Sequence, residues 1–179
     1  MSTPVDPGAA RDILRDHFER IRELVVAVTD GLTPRMSEYR PGPHANSIAW
    51  LVWHLTRVQD DHVSDAADME QAWTSRGWRE RFALPFPAAD IGYGHRSADV
   101  AAVHADAQLL AAYHGDVHLA TLEYVDELTL GELDRVVDRR WDPPVTVSVR
   151  LVSVIGDCLQ HLGQASYVRG LFETGPEAG

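Results

Sequence analysis

Apolar residues recur at three- and four-residue spacing in four long stretches of the chain, and that spacing predicts four amphipathic helices. From about Ala9 to Asp30 the stripe is Ile13, Leu14, Phe18, Ile21, Val25 and Val28, and Gly31 follows as a stop. The segment Leu32 to Asn46 holds Pro34, Pro41, Pro43 and Gly42, which forbid a continuous helix, so it reads as a loop. Asn46 or Ser47 can cap the second helix, whose stripe of Ile48, Leu51, Leu55 and Val58 runs toward His62 and Ala66. Met69 to Phe82 carries Trp73 and Trp78 in a shorter helical pattern. Pro85, Pro87, Gly92 and Gly94 then make residues 83–97 a long connection, of the kind that often borders a site.

Ser97 can cap a third helix from about Ala98 to Leu128, through Val103, Leu109, Leu110, Tyr113, Val117 and Leu122, with Gly115 testing its continuity. Thr129 and Glu132 have capping-box spacing and predict a short further helix, ended before Arg139-Arg140-Trp141-Asp142-Pro143-Pro144. The last helix runs from about Val147 to Phe172. Its early valines have some strand character, but Leu151, Val154, Ile155, Cys158, Leu162 and Ala165 fit a 3.6-residue period better than alternation. The pattern therefore predicts an all-α protein. Four long antiparallel helices would form an up-and-down or crossover bundle, with short extra helices in the connections and a tail without structure from about residue 174.

Composition narrows the function. The 179 residues, 45% hydrophobic and 24% charged, suit one domain over residues 1–179. A net charge of −11 argues against a nucleic-acid partner, which needs a basic face. No apolar run is long enough for a membrane helix and no leader pattern opens the chain, so a cytoplasmic protein without a membrane partner is expected. The single cysteine, Cys158, excludes a disulfide framework and a Cys-rich zinc cluster; any metal must be held by His and carboxylates. Cys158 points at the centre of its apolar face and reads as a small buried hydrophobe. All 16 basic residues are Arg, which fits a GC-rich source. The tryptophans read as core or pocket wall.

Two pairs have ligand spacing. Asp157 and His161 are four apart at the edge of the last helix's apolar face, with Gln164 following. His114 and His118 are four apart on the third helix and equally suited to zinc or nickel. His54, on the second helix, can complete a three-ligand set that leaves coordination positions open. Spacing does not choose between the pairs.

The stretches Asn46–Val63 and Val149–Leu171 resemble the second and fourth helices of the DinB/YfiT-like superfamily of metal-binding four-helix bundles. In that superfamily a second-helix His and two ligands four apart on the last helix, followed by Gly-Gln, bind one divalent metal. The resemblance places that metal on His54, Asp157 and His161, ahead of Gly163 and Gln164. Many members carry His where this chain has Asp157, whereas the mycothiol-dependent maleylpyruvate isomerases carry a carboxylate there. Gly92 to His95 and Arg139 to Thr146 extend the likeness to most of the chain. The isomerases resemble it only in their N-terminal domain. The whole chain is most similar to the actinobacterial branch of mycothiol S-transferases.

The resemblance implies a detoxifying enzyme that conjugates a low-molecular-weight thiol, mycothiol, to an electrophile. The dication would be Zn2+, with Ni2+, Mn2+ or Fe2+ also acceptable to such a site, and it would turn the thiol into a thiolate nucleophile. Arg57, Asp60, Asp61 and Gln164 are candidates for orienting the ligands. Tyr39, Arg40, Trp73, Trp78, Tyr93 and His95 are candidates for a thiol pocket because they lie on connections. A homodimer fits the way bundle faces pair. Two other functions use the same ligands: a metal-dependent hydrolase with Asp61 as general base, or a non-catalytic metal- or ligand-binding stress protein.

Overall fold

The computed structural model describes residues 7–176. Four long helices dominate it: α1 (Pro7–Thr29), α3 (Ile48–Ala67), α7 (Ala107–Glu127) and α9 (Val147–Thr174). Between them lie the short helices α2 (Pro34–Glu38), α4 (Ala72–Ser75), α5 (Trp78–Phe82), α6 (Ser97–Ala101) and α8 (Leu130–Leu133), and a two-stranded antiparallel sheet of β1 (Val136–Asp138) and β2 (Val145–Thr146). Among the described residues the regular structure is all-α apart from that hairpin, as the periodicity predicts. Residues 1–6, and 177–179 of the expected tail, lie outside the described residues.

The helix starts are set by short polar side chains. Ser47 accepts from the Trp50 amide at the head of α3, Thr146 caps α9 and Thr129 caps α8. The expected third helix begins late. Ser97 Oγ is occupied elsewhere, donating to the Pro43 carbonyl at 2.6 Å and accepting from Arg40, and only a short turn forms there. Asp106 supplies the true cap of α7, accepting from the Leu109 amide at 2.7 Å. From there α7 runs unbroken through Gly115. The segment expected as loop contains α2, started by Thr33 with Pro34 in the first turn, where a missing N–H costs nothing.

Side-chain contacts fix the helix directions: they depart from the all-antiparallel order and match the crossover form of the expected bundle. Along α1 and α7 the partners run oppositely: Arg15 meets Asp126, Glu19 meets His118, and Arg22 meets the Ala111 carbonyl. On α3 and α7 they rise together, Arg57 with Tyr113, Gln59 with Thr121 and Ala66 with Tyr124, so these neighbours are parallel. In a parallel pair the chain must return along the whole length of a helix, about 30 Å for 20 residues. Residues 68–106 make that return. They pass over the side of α3 that α7 and α9 leave open, which is why α3 is buried almost all round.

The core is the sum of the predicted stripes. Phe18, Ile21 and Val25 of α1, Leu51 and Leu55 of α3, Leu110 and Val117 of α7, and Leu151, Val154, Cys158 and Leu162 of α9 are all buried. Each such large side chain contributes about 1.5–3 kcal/mol of transfer free energy. Ile13 is the exception, 60% exposed, because the α1 stripe starts at Leu14. Trp50, Trp53, Trp73 and Trp78 are buried, but Trp141 stands 66% exposed beside the hairpin.

Within this core lies a polar cluster. Arg57 is wholly buried and donates to Gln71 Oε1, the Tyr113 hydroxyl, and the Ala88 and Asp90 carbonyls. Asp60 accepts from the Ala72 and Trp73 amides and from Tyr113 Oη, each at 2.8–2.9 Å. These bonds fasten the return segment to α3.

Candidate metal centre

His54, Asp157 and His161 converge where α3 and α9 cross, each offering one ligand atom within 4.8 Å of the others. His161 Nε2 is 3.6 Å from Asp157 Oδ1, and the His54 and His161 rings are 4.8 Å apart at a steep angle. Four-residue spacing places Asp157 and His161 on successive turns of α9, at the edge of its buried face. His54 reaches the same point from the opposing helix.

Each imidazole is oriented by its other nitrogen. His54 Nδ1 donates to the Ile91 carbonyl at 2.5 Å and His161 Nδ1 to Gln164 Oε1 at 3.4 Å, leaving both Nε2 lone pairs for the centre. Asp157 Oδ2 is buried with no hydrogen-bond partner among the described residues. A buried carboxylate oxygen in that state is costly, and a cation in the centre would satisfy it, so the donor set fits a divalent metal. Burial pushes the His54 pKa down, which keeps its ring neutral. At His161 burial acts in the same sense, but the hydrogen bond and charge of Asp157 outweigh it and raise the pKa.

The return segment roofs the centre. Gly92 has φ +97°, and a Cβ there would sit 2.6 Å from His54 Nδ1 and 3.1 Å from the Trp53 ring. Glycine is needed both for the backbone conformation and for the close approach that delivers the Ile91 carbonyl. Asp90 accepts from the Gly92 amide at 2.7 Å and lies 3.2 Å from His95 Nε2, while Trp50 Nε1 donates to His95 Nδ1 at 3.0 Å. Trp50 also stacks on His54, ring centroids 4.6 Å apart, and walls off one side.

The other sequence candidates scatter. Gln164 lies against His161. Arg57 and Asp60 belong to the buried cluster and reach the centre only through the Asp90 and Ala88 carbonyls. Asp61 pairs with His62 at 3.2 Å, which holds its carboxyl below the usual range, and accepts from Gln71. Among the thiol-pocket candidates, Tyr93 faces the centre, its ring 5.5 Å from that of His54. The His95 side chain packs on Trp53 and Phe86 within the roof. Trp73 and Trp78 pack around Tyr113 in the core, Tyr39 packs on Phe172, and Arg40 ties Pro43, Ala45 and Ser97 together, so these four do not line the centre. Sequence reasoning gave the Ile91 carbonyl and Gly92 no role in holding His54.

His114 and His118 take no part. They lie in the α1–α7 seam with rings 6.3 Å apart, and His118 Nε2 is 3.4 Å from Glu19. Burial lowers the His114 pKa to about 3, so that ring is neutral. Cys158 is buried beneath the centre, its thiol 3.7 Å from the Leu55 carbonyl and its pKa pushed up by burial, so it is not a nucleophile.

A helical bundle of this kind is the fold of the DinB/YfiT-like proteins. The family model of the mycothiol S-transferases matches residues 13–174, and the chain belongs to that family. Among solved structures it is similar to a conserved protein from Enterococcus faecalis, with 34% identity, a TM-score of 0.83, and coverage of 89% of this chain and 95% of that one. No curated protein matches it. Among the described residues no helix is long and apolar enough to cross a membrane.

Proposed function

We propose that this chain is a metal-dependent S-transferase that joins mycothiol to an electrophilic carbon, with His54, Asp157 and His161 as the metal ligands. The observation that carries the reading is the partnerless Asp157 oxygen among two imidazoles aimed at one point, in a member of a family named for mycothiol transfer. A dication held there, Zn2+ or a similar ion, lowers the pKa of a thiol from about 8.5 so that the thiolate predominates at neutral pH. Ile91 and Gln164 hold the two imidazoles in the required tautomer. Trp50 shields one side from water, and the side toward Tyr93 stays open. In a substitution the carbon–sulfur bond forms as the bond from carbon to the leaving group breaks; the thiol proton passes to solvent when the thiolate forms and the leaving group departs as its anion, so no oxidant or reductant is required.

The reading is tested by loading the purified protein with one equivalent of zinc and supplying mycothiol and a bromobimane. Thioether should form well above the rate without protein. If neither mycothiol nor another cellular thiol is conjugated, the proposal is wrong.

The roof makes a second expectation. Gly92→Ala should force the loop away from His54, free its Nδ1, and weaken zinc binding by about 10–100-fold, the range for lost orienting partners. Competition with a chromophoric chelator measures this; unchanged affinity would show that the Ile91 carbonyl does not orient the ligand.

A further inference from the structure

Two cavities open beside the centre and run into one another. One, about 410 Å³, lies along the second half of α3 at Asp61, Asp65 and Asp68; the other, about 340 Å³, reaches Tyr93, Trp141 and Ser153. Both are bordered by His62, Arg140 and Arg150, so they form one trough. It follows the α3–α9 seam away from the centre. Asp61 and Asp65 lie two and three turns beyond His54 on α3, while Ser153 and Arg150 lie one and two turns before Asp157 on the opposing helix. Tyr93 joins the two regions, its ring 5.5 Å from that of His54 and 6.5 Å from that of His62. From His54 to Asp65 the trough is about 16 Å long at 1.5 Å per helical residue.

Its lining defines what would fill it. Charges of both signs alternate: Asp138 accepts from Arg140 at 2.8 Å and lies 3.5 Å from Arg150, with the carboxylates of α3 opposite. A ligand with a net charge would meet repulsion as well as attraction. A neutral ligand rich in hydroxyls, donating to carboxylates and accepting from guanidinium groups, would satisfy both. Arg150 Nε is buried and has no partner among the described residues, a donor available to such a ligand. Tyr93 and Trp141 are 61% and 66% exposed and offer flat faces for the C–H sides of sugar rings.

We propose that this trough is the subsite for an uncharged, polyhydroxylated substituent carried on the thiol, with the sulfur entering past Tyr93 and the sugar portions lying between Trp141 and the acidic side of α3. The assignment rests on the thiol-transfer reading of the centre and places recognition of the thiol on residues outside the ligand set.

The test uses S-methyl mycothiol, whose sulfur is blocked, so that binding is read apart from transfer. Titration calorimetry on the whole protein should show binding that weakens about tenfold or more in Arg150→Met, the scale for losing a hydrogen bond to a charged group. Trp141→Ala, at an exposed position that leaves the fold intact, should weaken it at least severalfold. N-acetylcysteine, which keeps the thiol and lacks the sugar portions, should bind all three proteins alike. Equal losses for both probes, or none for S-methyl mycothiol, or no binding of S-methyl mycothiol to the wild type, would overturn the trough even if transfer is observed. Arg150- and Trp141-dependent binding without any transfer would leave the trough standing and remove the transferase reading.

Discussion

His161→Ala is expected to abolish metal retention and thiol transfer, whereas His118→Ala leaves both intact. His161 Nε2 faces Asp157 and the His54 ring across the seam, and its removal leaves two ligands from two helices. Affinity should fall by more than the roughly 10–100-fold that loss of an orienting partner costs. His118 has Glu19 beside it, and among the described residues it belongs to no group of three converging ligand atoms. Elemental analysis after dialysis decides the matter. Metal lost from the His118 variant and kept by the His161 variant would move the centre to α7.

The largest stability effect belongs to Asp60→Ala. The Asp60 carboxylate accepts from two amides and a tyrosine hydroxyl and lies 3.6 Å from Arg57 Nη1. Its loss would leave Arg57 buried without its counter-charge, at a cost of about 3–5 kcal/mol. For a chain of this size that lowers the midpoint of thermal unfolding by roughly 10 °C. Burial pushes the Asp60 carboxyl up despite its donors and Arg57, and exchanging a buried ion pair for apolar residues of similar volume is often neutral or stabilising. The double variant Arg57→Met with Asp60→Leu should accordingly recover part of the loss. A single variant melting within about 2 °C of wild type would show that water reaches Arg57, contrary to its burial.

Helix content, the stripe on α9 and the buried state of Cys158 were legible because burial on one side of a helix imposes a 3.6-residue period that sequence retains. The cap of α7 was misplaced because Ser97 and Asp106 are both good caps, and only the tertiary bond from Ser97 to Pro43 removes one of them. Parallel packing of α3 and α7 leaves no trace in either helix; its one sign is the length of the connection between them. The hairpin was missed because strands of three and two residues are too short to alternate visibly. At the centre, spacing gave two rival pairs, and resemblance alone favoured Asp157 with His161. The convergence with His54 depends on helix crossing, which no local pattern encodes.

The return segment also separates what is inherited from what can change. Its length is owed to the parallel pairing of α3 and α7, so any protein with this topology must carry a comparable span, whatever that span does. Its middle, around Ile91 to Gly94, lies over His54 without being held to a helical period. Exchanging it between relatives would alter access to the space between α3 and α9 while the four-helix frame stays in place, provided the Ile91 carbonyl and Gly92 that hold His54, and the Arg57 and Asp60 anchors at its base, are kept.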